Sequence, residues 1–261
     1  MSNRAIPILA VILVVGSLSA WYWWARIASA PPLDQTGNPA PAVAQPPPPP
    51  PAAPSAAGLP SLAESDAPFH TALIALPGAE GLSNVLRPEN LIRHVVATVD
   101  NLPRHKLAVE LRPLEPTGGS LQVSGGDLKA DLDEHNGGRY SPVTTVLSNL
   151  DMHALYDLYR RYYPLFQRAY EDLGYPQKSF NDRLVAVIDH LLETPHPPRP
   201  LALVRPKVFW EYADPSLEAR SAGQKLMLRL GSENQALVER KLRELRALIA
   251  TRSAAPAKAK P

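Results

Sequence analysis

Between Ile6 and Trp24 the chain reads IPILAVILVVGSLSAWYWW, without one charged residue. A helix rises about 1.5 Å per residue, so about 20 such residues cross a hydrocarbon core of roughly 30 Å. Ile6, Ile8, Leu9, Val11, Ile12, Leu13, Val14, Val15 and Leu18 together favour insertion by about 3 to 5 kcal/mol. Pro7 falls in the first turn, where its missing N–H costs nothing. Trp21, Tyr22, Trp23 and Trp24 suit the membrane–water boundary, and Arg4 and Arg26 bracket the span within reach of headgroups. The expectation is a single-pass transmembrane helix over residues 6–26, anchored through Ile6, Leu13, Trp21 and Trp24. Residues 1–5 would lie on the cytoplasmic side, with the bulk of the chain across the membrane. A cleaved signal peptide is the competing reading, since Ala28-Ser29-Ala30 has the form of a processing site. Pro31 directly after it, and the aromatic cluster before it, favour a retained anchor.

Residues 27–60 hold a large share of the 30 prolines, including the run Pro46 to Pro51, and almost no bulky apolar side chain. Such a segment buries too little surface to offset its ordering entropy. The proline run should form polyproline II, and at about 3.1 Å per residue the whole segment reaches up to roughly 100 Å. A disordered spacer that lifts a domain off the bilayer is expected; a docking motif for a proline-binding module is the sharper alternative.

The remaining length of the 261-residue chain allows one medium domain. A net charge of +2 with both signs mixed argues against a nucleic-acid partner, which calls for a sustained basic surface. The absence of cysteine excludes disulfides, thiolate metal sites and cysteine nucleophiles together.

Periodicity predicts a mostly helical domain over residues 61–252 with a minor β element, followed by a disordered tail over 253–261. Ser65 or Asp66 is placed to cap a first helix that Pro77-Gly78 stops. Pro88 should open a second, with Leu91, Ile92, Val95, Val96 and Val99 as its apolar face and Asn101 and Pro103 at its end. Residues 106–142 are rich in Gly, Pro and Asp, and read as a small hairpin or irregular loop around Ser124-Gly125-Gly126-Asp127. Ser148 to Asp151 has the form of a capping box for a long helix with its seam at Leu155, Leu158, Tyr159, Tyr162, Phe166, Ala169, Tyr170 and Leu173. Pro164 should kink that helix, and Gly174 should end it. Ser179 opens the next helix, with Phe180, Leu184, Val187, Ile188 and Leu191 inward. Two short extended pieces surround Pro206, a helix runs from Asp214-Pro215 to Leu230, and Ser232 caps the last. In that last helix Leu237, Val238, Leu242, Leu245 and Ile249 should face inward, and Arg240, Lys241, Arg243, Glu244 and Arg246 outward.

Three stretches carry a resemblance: YPLFQRAYEDLGYP from Tyr163, FNDRLVAVIDHLLETP from Phe180, and LVRPKVFWEYADPSLEARSAGQKLMLRLG from Leu203. With SDAPFHTAL and NLIRHVVATVDNLPR upstream, they resemble the domain of unknown function 3014 family of uncharacterised bacterial proteins. The resemblance implies single-pass, membrane-anchored envelope proteins. It supplies no activity, cofactor or catalytic residue to transfer.

No nucleophile elbow, H-E-x-x-H motif or phosphate-binding glycine loop occurs, so no catalytic residue, metal or cofactor is expected. The acidic cluster of Asp127, Asp131, Asp133 and Glu134 lacks the glycine and terminal glutamate of a calcium loop, and His190, Glu193 and His196 form at best a loose ligand set. Arg205, Lys207, Trp210, Glu211 and Tyr212 lie on one proline-stiffened stretch. Its cations can meet a carboxylate, and its aromatics can stack on a sugar or peptide. The plainer reading has Arg205 and Glu211 bridging to neighbours while Trp210 and Tyr212 fill the core. Tyr156, Arg160 and Arg161 are placed to line the same groove. Glu211 and Asp214 as a general acid–base pair have no fold geometry to support their separation. The expected protein is thus a non-catalytic binding or scaffolding module. It would sit in the bacterial inner membrane by one span, with its C-terminal domain in the periplasm. Its partners would be the bilayer and an envelope protein or cell-wall component. A periplasmic hydrolase of a wall component is the alternative.

Overall fold

A computed structural model describes residues 58–107 and 110–253. Among these no helix is long and apolar enough to cross a membrane. The expected span at 6–26, nearly all of the spacer and most of the expected tail lie outside the described residues.

Eight helices and a four-stranded sheet form the described part. Helix α1 is Asp66–Ile74 and α2 is Leu91–Asn101. Ser65 does not cap α1: it is buried, and its hydroxyl donates to the Leu62 carbonyl. The Asp66 carboxylate instead reaches across to α2, where it accepts from the N–H groups of Asn90 at 2.6 Å and Leu91 at 2.9 Å. It thereby satisfies a donor that the start of a helix leaves orphaned. Asn90 sits at φ 51°, in the left-handed region that asparagine tolerates, and this turn delays the start of α2 beyond Pro88.

Strands β1 (Val123–Gly125) and β2 (Lys129–Leu132) form the expected hairpin. The rest of that region is more regular than its composition suggests. A 3-10 turn over Glu134–Tyr140 runs into helix α3 (Ser141–Ser148). Ser148 therefore ends a helix instead of capping one. The next helix, α4 (Met152–Asp172), is capped by Asp151, whose carboxylate accepts from His153 N at 2.8 Å and Ala154 N at 3.1 Å. It continues through Pro164, and Gly174 follows it at φ 100°. Leu173 is not part of the seam: it lies past the last helical residue, Asp172, and is exposed. Ser179 caps α5 (Phe180–Leu192) by accepting from Asp182 N at 3.3 Å.

The extended pieces around Pro206 are β3 (Ala202–Val204) and β4 (Glu211–Tyr212). They join the first hairpin in one antiparallel sheet of order β1-β2-β3-β4. The helix expected from Pro215 to Leu230 is two helices, α6 (Pro215–Glu218) and α7 (Ala222–Arg229). Ser221 breaks it by capping α7, accepting from Gln224 N at 3.2 Å. Helix α8 (Ser232–Ser253) follows. Lys241 does not face solvent: it is buried, and its ammonium donates to the Leu150 carbonyl at 2.8 Å. Burial pushes that ammonium's pKa down.

The principal core lies among α1, α2, α4, α5 and α8. At its heart the rings of Phe69, Tyr159, Tyr162, Phe166 and Phe180 meet mostly edge to face or tilted, with Phe69 and Tyr162 centroids 4.9 Å apart. The sheet has a separate small core of Leu132, Leu201, Leu203, Tyr212, Leu217 and Leu228. Helix α7 joins the two, sending Leu226 and Met227 into the first and Leu228 into the second. Its opening N–H groups meet the end of α2: Ala222 N donates to Arg104 O at 2.7 Å and Gly223 N to Leu102 O at 3.0 Å. Helix start thus faces helix end, in the sense that the two dipoles favour.

Candidate functional site: a cleft around Asp100

Asp100 lies on the apolar stripe of α2, one turn beyond Val96, and is 3% exposed. A carboxylate so placed needs partners, and α5 and the turn after α2 supply them. Arg183 Nε donates to Asp100 Oδ1 at 2.9 Å, and its Nη2 donates to the Asp100 carbonyl at 2.7 Å. Arg104 Nη2 donates to Oδ2 at 2.5 Å, and Tyr175 OH approaches the same oxygen at 3.4 Å. The Arg104 guanidinium is held above its ordinary pKa, first by its bond to Asp100.

A cleft of about 460 Å³ opens beside this cluster, lined among others by Asp100, Tyr170, Tyr175, Lys178 and Arg183. That volume falls within the range of small-molecule sites. Its wall is aromatic: the rings of Tyr170 and Tyr175 stack with centroids 4.7 Å apart, and Lys178 Nζ lies 5.3 Å from the Tyr175 centroid. Burial pushes the Tyr170 phenol up, and the Asp100 charge adds to it. The rim is held firmly by Gln167 of α4, which donates to Lys178 O at 2.9 Å and accepts from Phe180 N at 2.9 Å. Tyr163 OH lies 3.1 Å from the same amide oxygen.

Both Asp100 oxygens are engaged by guanidinium groups, which leaves that carboxylate poorly suited to take a proton from a substrate. Gln177, Lys178 and Asp182 are exposed at the rim. The lining holds two cations, Lys178 and Arg183, and two carboxylates, Asp100 and Asp182, and Arg104 binds Asp100 from outside it.

The stretch from Arg205 to Tyr212 lies elsewhere, on the sheet. Tyr212 is buried in the small core, where its hydroxyl donates to Lys225 O at 3.3 Å and burial pushes its pKa up to about 12. Trp210 packs against that core with the Arg205 guanidinium 4.8 Å above its ring. Lys207 is exposed, and Glu211 pairs with Val204 in the ladder. Tyr156, Arg160 and Arg161 belong to the helical body: Arg160 lies 6.0 Å from the Tyr156 centroid and Arg161 5.7 Å from that of Tyr162. Asp214 caps α6 by accepting from Ser216 N at 2.8 Å.

Among the described residues no group of three or more histidine or acidic side chains is placed to hold a metal. His190 Nε2 lies 2.8 Å from Ser221 Oγ, and His196 pairs with Glu239 at 2.9 Å. The His190–Ser221 pair lacks the features of a nucleophilic site. Ser221 is buried and caps α7, and the neighbouring N–H groups of Ala222 and Gly223 are bound to α2 carbonyls.

Sequence reasoning passed over Asp100, Tyr175, Lys178 and Arg183. The signal for the first was a lone acid on a hydrophobic helix face, and for the others a tyrosine-rich run just before a capped, Arg-bearing helix.

The family model described as Protein of unknown function (DUF3014) matches residues 91–246. No curated protein and no solved structure matches the chain.

Proposed function

From the premise that the chain belongs to the DUF3014 family, we propose that it is a membrane-anchored, non-catalytic binding module of the bacterial envelope. The cleft around Asp100 is its recognition site. The observation that carries this reading is the engagement of Asp100: a buried carboxylate with both oxygens taken by arginines shapes a cleft without offering a base. The uncharged stretch Ile6–Trp24 and the proline-rich segment after it support a tethered arrangement, in which a spacer raises the local concentration of the module near a bilayer-bound or wall-bound partner.

The test places a photo-crosslinking residue at Gln177 of the full chain in cells. A discrete adduct that disappears with Lys178→Glu or Tyr175→Ala supports the reading. Absence of any adduct, together with turnover of a purified wall fragment that is lost in Glu211→Gln, overturns it in favour of a hydrolase.

A further inference from the structure

The two most exposed of the large apolar side chains that stand out at the surface are Leu128, at 70%, and Val208, at 65%. Neither belongs to either core. They come from different hairpins, yet the topology brings them together. In a β1-β2-β3-β4 meander, the β1–β2 turn and the β3–β4 loop leave the sheet at the same end. Here that end is fixed by the pairing of Lys129 with Val204 and by a bond from Arg205 N to Leu128 O at 2.9 Å. At or beyond the Lys129–Val204 pair lie three cations, Lys129, Arg205 and Lys207, against Asp127 and Glu211.

We propose that this end of the sheet is a lipid-docking surface, at which Leu128 and Val208 enter the interface of an anionic bilayer while Lys129 and Lys207 meet its headgroups. Apolar side chains on loop tips, ringed by cations, bind membranes through buried apolar area plus attraction to anionic lipid. A protein partner would more often meet a flat or concave patch with a buried aromatic centre. The half-buried Trp210, with Arg205 across its ring, follows Val208 in the same loop, and indole favours the membrane–water boundary. This rests on the anchored reading above only in supplying a nearby bilayer. It implies that the folded body lies down on the surface from which the spacer would raise it.

The chain has no cysteine, so Leu128→Cys in the full chain accepts a single environment-sensitive nitrobenzoxadiazole label. Leu173→Cys, 44% exposed on the helical body, serves as the control. The probes are vesicles of phosphatidylglycerol with phosphatidylethanolamine, and vesicles of phosphatidylcholine. Emission at position 128 should rise severalfold with the anionic vesicles alone, and emission at 173 should stay at its aqueous level. Val208→Asp should abolish the rise, and Lys207→Gln should weaken lipid partition about fivefold. Circular dichroism of Val208→Asp should be unchanged, because the site is exposed. Equal emission in both vesicle types, a rise that survives Val208→Asp, or a rise with protein concentration in the absence of lipid (self-association) would overturn the proposal. Flotation after alkaline extraction reads the span separately. A chain that floats with position 128 in water refutes the docking surface alone, and a chain that does not float yet reports lipid at 128 refutes the anchor alone.

Discussion

Arg183 grips Asp100 twice, through a carboxylate oxygen at 2.9 Å and through the backbone carbonyl at 2.7 Å. One guanidinium thus ties α5 to the C-terminal turn of α2 and at the same time shapes the cleft wall. Removing one partner of a buried pair leaves an uncompensated charge. Arg183→Leu should cost about 3 kcal/mol, reduced by whatever the exposed Arg104 retains. Arg183→Lys keeps the charge but not the fork, and should cost about 1 to 2 kcal/mol. Urea denaturation of the three proteins checks the order.

Arg112 presents the opposite case. It is 1% exposed, and its Nε, Nη1 and Nη2 are all buried without a hydrogen-bond partner. Burial, with the charge of Arg87 adding to it, pushes its guanidinium down from its ordinary value to about 10. The folded protein gives up this proton near 10, whereas the unfolded chain keeps it to the higher, ordinary value of a guanidinium. Between those values the unfolded state holds more protons, so stability rises with pH, and below pH 10 the full penalty is about 3 kcal/mol. Arg112→Met should therefore stabilise the protein at pH 7 by about 1 to 3 kcal/mol, with an advantage that shrinks above pH 10. A lower denaturation midpoint for the variant at pH 7 would contradict this.

Tyr212 moves stability in the other direction over nearly the same window. Its phenol holds its proton to about 12 in the folded state, against an ordinary value of 10.0. Between these the unfolded state has lost a proton that the folded state keeps, so stability falls as pH rises, by up to about 3 kcal/mol. Tyr212→Phe should remove this loss at a cost near neutral pH of about 1 kcal/mol for the hydroxyl's bond to Lys225 O. Absorbance at tyrosinate wavelengths should show one fewer group titrating near 12.

Gly223 of α7 is wedged between Leu191 of α5 and Leu102 at the end of α2. A Cβ there would lie 2.6 Å from Leu191 Cδ2 and 3.1 Å from the Leu102 carbonyl oxygen. Leu191 is buried and cannot swing away freely. Gly223→Ala gains about 1 kcal/mol of helix propensity, but should lose more through overpacking, typically about 1 to 3 kcal/mol. The melting temperature should fall, and Leu191→Ala introduced with it should recover less than its own cavity costs.

Helix positions were largely legible in the residues because the apolar stripes of α2, α4, α5 and α8 run at the helical period, and Gly or Pro follows within three residues of the first three. Errors came where one side chain serves another element. Asp66 looked like a cap for its own helix but caps α2, and Ser221 was hidden inside a run that reads as continuous helix. Lys241 looked like a surface cation, since nothing local announces that the Leu150 carbonyl waits across the core. The two extended pieces around Pro206 were recognisable, but their union with the first hairpin was not, because sheet pairing joins segments about seventy residues apart. The cleft was missed for the same reason: its carboxylate and its arginine are 83 residues apart in the chain.

The bond from Leu91 N to Asp66 bears on where this chain can be cut. The family match begins at Leu91 and stops at Arg246, yet the first of these residues is steadied by an acid 25 positions upstream. Ile249, past the other border, is still in the core. A fragment trimmed to the recognisable borders would shed Phe69 and Leu73 from the aromatic interior along with that cap. The smallest autonomous piece is therefore wider than the piece by which its relatives are known.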